Sequence, residues 1–88
     1  MKVAFRDSFA KDLKSVKDKP LLRRVKGIIE AVEHADSITQ IPNLKKLKGR
    51  QNYFRLRVGE HRLGLVIEHN SVIFVRFLDR KDIYKYFP

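Results

Sequence analysis

The chain has 88 residues, a formal net charge of +10 from 20 Lys and Arg against 10 Asp and Glu, and no cysteine. That length supports one modest core and a single domain over residues 1–88, and the missing thiols exclude disulfides, thiolate zinc sites and cysteine nucleophiles. No apolar run approaches the roughly 20 residues of a membrane span, and the N-terminus lacks the apolar stretch of a secretory signal. A cytoplasmic location without a membrane partner is therefore expected.

The charge is uneven. Residues 1–44 carry 9 Lys and Arg against 6 Asp and Glu, a balance of +3, whereas residues 45–88 carry 11 against 4, a balance of +7. An excess gathered in one half points to an anionic partner, either nucleic acid or an acidic protein.

In chain order, Met1 to Arg6 alternates as a short edge strand, with Val3 and Phe5 on one side. Asp7 or Ser8 is expected to cap a short helix carrying Phe9, Leu13 and Val16 on one face through about Lys17. Pro20 opens a second helix, whose stripe of Leu21, Val25, Ile28, Val32 and Ala35 runs to about His34. Gly27 inside it is read as a point of close packing. Asp36 to Asn43 reads as a connector that tucks Ile38, Ile41 and Pro42 against the core. Leu44 to Arg50 reads as a basic loop anchored by Leu44 and Leu47, leaving Lys45, Lys46, Lys48 and Arg50 in solvent.

Three antiparallel strands follow: Tyr53 to Val58, His61 to Glu68 and Val72 to Leu78, joined at Gly59-Glu60 and His69-Asn70-Ser71. Alternation puts Phe54, Leu56, Val58, Leu63, Leu65, Ile67, Ile73, Val75 and Phe77 on one apolar face. That face must be covered by the two helices, since wetting each large side chain forgoes roughly 1.5 to 3 kcal/mol. The result is an α+β two-layer sandwich of order β-α-α-β-β-β. The other face collects Tyr53, Arg55, Arg57, Arg62, Gly64, Val66, Glu68, Phe74 and Arg76 and is expected to be uncovered. The tail, Asp79 to Pro88, extends the last strand or forms one helical turn.

The four scattered glycines make no phosphate loop, and no cofactor or metal is expected. His34, His61 and His69 read as structural, with His61 turned towards the core side or its edge. What remains is arginine and tyrosine on an open sheet, which suits single-stranded RNA because guanidinium groups grip phosphates and aromatic rings stack on unpaired bases. Any chemistry there is attack of a 2′-hydroxyl on the adjacent phosphate. Arg62 and Arg80 would stabilise the phosphorane, and Tyr84 would move a proton or stack. Competing structural roles are an Arg76–Glu68 pair, a solvated Arg57 and a Tyr86-Phe87 clasp.

The segments LKKLKG, YFRLRVGEHRLGLVIE and VRFLDRKDIYKYFP resemble the RelE/ParE superfamily of bacterial type II toxins, across essentially the whole chain. The resemblance implies a ribosome-dependent messenger-RNA endonuclease held inactive by an acidic antitoxin, acting on mRNA beside ribosomal RNA in the small-subunit decoding site. It places catalysis on Arg55, with Arg57 as an alternative, and on Arg62, Arg80 and Tyr84; the basic and aromatic residues Lys45, Lys46, Lys48, Arg50, Tyr53, Arg57, Arg76, Lys81 and Tyr86 are expected to bind RNA or the ribosome. Tyr53 stands where relatives can have lysine, and Asp79 where many have histidine. The resemblance leaves open a ParE-like inhibitor of DNA gyrase that cuts nothing, and an inactive antitoxin-binding module.

Overall fold

The computed structural model describes residues 1–88. Strand β1 (Lys2–Phe5) leads to helices α1 (Asp7–Lys14) and α2 (Lys19–His34), and a single 3-10 turn (Ile38–Gln40) leads to strands β2 (Leu44–Lys46), β3 (Tyr53–Val58), β4 (His61–Glu68) and β5 (Ser71–Asp79). Helix α3 (Arg80–Tyr86) closes the chain. The strands form one sheet in the order β1-β5-β4-β3-β2, antiparallel except where β1 runs parallel to β5. The expected sandwich and element order are present, with a second edge strand added, and of the two expectations for the tail the helical one holds, as α3. No helix is long and apolar enough to cross a membrane.

Helix α2 starts where Asp18 accepts a hydrogen bond from the Leu21 N–H at 3.1 Å, with Pro20 in the first turn, where its missing N–H costs nothing. Helix α1 lacks the expected cap. Arg6 precedes it without a side-chain bond, and the Ser8 hydroxyl instead donates to the Val75 carbonyl at 2.6 Å. Val25, Val32 and Phe9 from the helices meet Leu56, Val58, Leu63, Leu65, Ile67, Val72, Phe74 and Phe77 from the sheet in one core. Of the connector, Ile41 joins this core, but Ile38 and Pro42 are exposed. His61 stacks on Phe77 with centroids 5.0 Å apart, on the core side as expected.

The parity expected for β5 is corrected. Gly64 pairs with Arg76 and the next residue, Leu65, pairs with Phe74, so Val75 is left over as a bulge. An extra residue reverses the alternation. Hence Val72, Phe74 and Phe77 enter the core, while Ile73 turns to the other face. Leu44 to Lys46 is likewise a strand, not a loop, because it hydrogen-bonds along β3. Gly27 marks no close packing within the chain: a Cβ there would meet nothing within 4 Å.

The face expected to be bare is half covered. Val66, Ile83 and Phe87 are buried outside the main core, because α3 folds back over the sheet. Gly64 makes this possible, since a Cβ at that position would stand 2.7 Å from the Phe87 ring. Phe87 is thus the clasp, closing on the second face, whereas Tyr86 remains 59% exposed.

Candidate functional site

The uncovered half of this face is a hollow of about 300 Å³ lined by Asn43, Lys45, Arg55, Arg57, Arg62 and Tyr84. Strand pairing assembles it. Lys45 lies opposite Arg55 across β2 and β3, and Arg57 lies opposite Arg62 across β3 and β4. Like charges placed opposite each other destabilise a sheet by up to about 1 kcal/mol a pair, so the folded chain alone gains nothing from this arrangement.

The cations have no internal acid to neutralise them. The ion pairs in the chain are Arg76 with Asp12 and Arg80 with Glu60, and neither involves the hollow. One Arg62 nitrogen donates to the Gly59 and His61 carbonyls at 3.0 and 2.9 Å, which holds the side chain against the β3–β4 turn and leaves its other donors unused. The Arg55 guanidinium carbon sits 4.9 Å from the centroid of the Tyr84 ring. Tyr84 is 67% exposed, so its ring and hydroxyl are open to a ligand.

A second depression shares Arg55 and Tyr84 with the first and adds Leu47, Lys48, Arg50, Ile83, Phe87 and Pro88. Arg50 lies over Tyr53 at 5.8 Å, and Tyr53 packs on Phe87 at 5.7 Å. The trough therefore runs from an end rich in cations to one with an apolar wall, which suits phosphate and base along a single strand.

Several expected residues lie elsewhere. Arg80 begins α3 and turns to the β3–β4 hairpin, where its Nε is 3.4 Å from Glu60 with both side chains largely exposed. Arg76 meets Asp12 rather than Glu68, through Nε at 2.8 Å and a terminal nitrogen at 3.0 Å. The same carboxylate accepts the Phe77 N–H at 2.9 Å, on the stretch of β5 beyond its pairing with β1. The Asp12 hydrogen bond holds the Arg76 pKa above its ordinary value. Its stabilisation is complete below the unfolded pKa and fades only in strong alkali, so Arg76 is a permanent structural cation rather than a free phosphate ligand.

Lys46 pairs with Phe54 and so projects from the opposite side of β2 to Lys45. Lys81 is exposed in the first turn of α3, and Tyr86 lies 5.7 Å from the Arg76 guanidinium, away from the hollow. Asn43 was absent from the expected set although it lines the hollow. Its positive φ of 64° follows a Pro-Asn turn signal that the sequence does display.

The fold and this cation-lined trough have known counterparts. Residues 3–84 match the family model described as the ParE toxin of type II toxin-antitoxin system, parDE. The chain belongs to the RelE/ParE toxin superfamily. It is 44% identical to Toxin RelE3 of Methanocaldococcus jannaschii over 89 aligned positions, covering all of both chains. It superposes on the RelB-RelE antitoxin-toxin complex from Methanococcus jannaschii with a TM-score of 0.83 and 41% identity, covering 97% of this chain and 99% of that one. The YoeB dimer from Staphylococcus aureus shares the fold at a TM-score of 0.72 and 20% identity, covering 89% and 94%. This RelE/ParE chain is thus a RelE-like toxin of a toxin-antitoxin pair.

Proposed function

We propose that this toxin cuts messenger RNA in the decoding site of the small ribosomal subunit, in the cytoplasm, and is held inactive by an acidic antitoxin. The observation that carries the reading is the hollow of Lys45, Arg55, Arg57 and Arg62 beside Tyr84, with no carboxylate of the chain paired to it. The 44% identity to a RelE toxin and the likeness to a RelB-RelE complex support both the activity and the partner.

The 2′-oxygen of the RNA attacks the adjacent phosphorus and loses its proton, the bond from phosphorus to the 5′-oxygen breaks, and that oxygen is protonated. The products are a 2′,3′-cyclic phosphate and a 5′-hydroxyl. Arg55, Arg57 and Arg62 stabilise charge on the pentacoordinate phosphorus, Lys45 holds a flanking phosphate, and Tyr84 moves a proton or stacks on a base. Arg80 is assigned to the rim, where it guides the strand.

Purified toxin added to ribosomes carrying a defined mRNA tests this. Cleavage with a 5′-hydroxyl end that is lost in Arg62→Ala supports it. A second reading, inhibition of DNA gyrase without cleavage, is favoured by the name of the matching family model. Intact mRNA together with blocked DNA supercoiling selects that reading instead.

A further inference from the structure

Cleavage of the RNA backbone moves two protons. One leaves the attacking 2′-hydroxyl, and one must reach the departing 5′-oxygen, because an alkoxide is a poor leaving group in neutral water. Guanidinium groups grip phosphate but serve neither transfer, since an arginine side chain keeps its protons in a protein.

Of the six residues that line the hollow, Arg55, Arg57 and Arg62 are therefore excluded as proton donors, and the amide of Asn43 does not titrate. Arg80 lines neither depression of the trough, and no histidine does. Lys45 and Tyr84 remain. Tyr84 is held by its ring, which lies over the Arg55 guanidinium at 4.9 Å. Lys45 is not held in this way. It is exposed on β2, an edge strand of the sheet, and takes part in no ion pair of the chain. Its flexible four-carbon stem can follow a substrate atom as that atom moves away from phosphorus. Its place opposite Arg55 sets two like charges face to face, and handing a proton to the substrate removes one of them.

We propose that Lys45 is the general acid of the cleavage, delivering a proton from Nζ to the departing 5′-oxygen. The inference rests on the nuclease reading above and names the donor which that reading leaves open. As the 2′-oxygen bonds to phosphorus, its proton passes to solvent water, directly or through the Tyr84 hydroxyl. As the bond from phosphorus to the 5′-oxygen breaks, its electron pair stays on that oxygen and takes the Lys45 proton. The neutral amine left behind is reprotonated by water. An ammonium has three donors, so the same group holds a flanking phosphate and still directs one N–H at the leaving oxygen.

Charge and proton transfer are separable here, because Lys45→Arg keeps the cation and loses the transferable proton. The test is single-turnover cleavage, by the full-length toxin, of ribosome-bound mRNA whose cleaved linkage carries either the natural 5′-oxygen or a sulfur in its place. A thiolate departs without being protonated, so the sulfur linkage has no need of the acid. Lys45→Arg is expected to cleave the oxygen linkage about 10²-fold or more slowly than wild type. The same variant is expected to cleave the sulfur linkage within threefold of wild type, each rate taken above the background without toxin. Lys45→Gln, with the same pattern expected, replaces Lys45→Arg should circular dichroism show the latter unfolded. Equal losses on the two linkages overturn the proposal, since Lys45 then only binds. So does wild-type cleavage of the oxygen linkage by Lys45→Arg, or a rescue by sulfur seen in Tyr84→Phe instead. In each of these cases wild type still cleaves and the nuclease reading stands. A wild type that cleaves neither linkage refutes that reading and the acid with it.

Discussion

The Arg55 guanidinium lies over the Tyr84 ring, 4.9 Å from its centroid, and so joins the centre of the sheet to the helix that folds back over it. This pair sits at the boundary of the two depressions of the trough. Tyr84→Phe keeps the stack and removes the hydroxyl, whereas Tyr84→Ala removes both. If the hydroxyl transfers a proton, Tyr84→Phe lowers single-turnover cleavage by about 10²-fold or more. A rate within threefold of wild type in Tyr84→Phe, with loss only in Tyr84→Ala, assigns the ring to stacking.

The arginines are expected to rank by position. Removing Arg62 or Arg55 takes away a guanidinium that lines the hollow and is expected to lower cleavage by roughly 10² to 10³-fold. Arg80→Ala lowers it less than about tenfold, because its side chain is turned to Glu60. The ordering is read from cleavage rates at saturating ribosome concentration, and an Arg80→Ala defect as large as that of Arg62→Ala contradicts it.

Asp12 ties α1 to β5 through Arg76 and the Phe77 amide, and it is only 10% exposed. Its replacement by Ala leaves a half-buried guanidinium and a strand amide without their acceptor. The expected loss is about 2 to 3 kcal/mol, or a melting temperature lower by roughly 10 to 20 °C. In a double-mutant cycle with Arg76→Ala the two losses should not add. Additive effects in denaturant titrations contradict the pairing.

Gly64→Ala places a methyl group within 2.8 Å of the Phe87 ring and forces the tail off the sheet. Overpacking of this kind costs about 1 to 3 kcal/mol. Phe87→Leu in the same chain relieves part of the clash, so the double variant should be more stable than Gly64→Ala alone. Chemical denaturation monitored by circular dichroism checks the order.

Much of this was legible in the residues. Pro20 announces α2, Gly59 and His69-Asn70 announce the hairpins, and alternation alone brings Arg55, Arg57 and Arg62 to one face. The rest depends on partners distant in the chain. The bulge at Val75 is set by register, with the Ser8 hydroxyl bonded to its carbonyl from 67 positions away. Asp12 finds Arg76 across 64 positions. The strand character of Leu44 to Lys46 comes from β3, since three residues with two lysines show no apolar alternation. That Arg80 turns towards Glu60 follows from the start of α3 and its neighbour in the β3–β4 turn, which the tail sequence does not fix.

In the proposed activity the unneutralised cations of the sheet hold the RNA and stabilise its cleavage. Mapping RNA ends in cells after induction of the toxin tests it most directly. The expected result is new 5′-hydroxyl ends inside translated messages, present with wild type and absent with Arg62→Ala made to the same level. Intact messages accompanied by accumulating DNA breaks would contradict it.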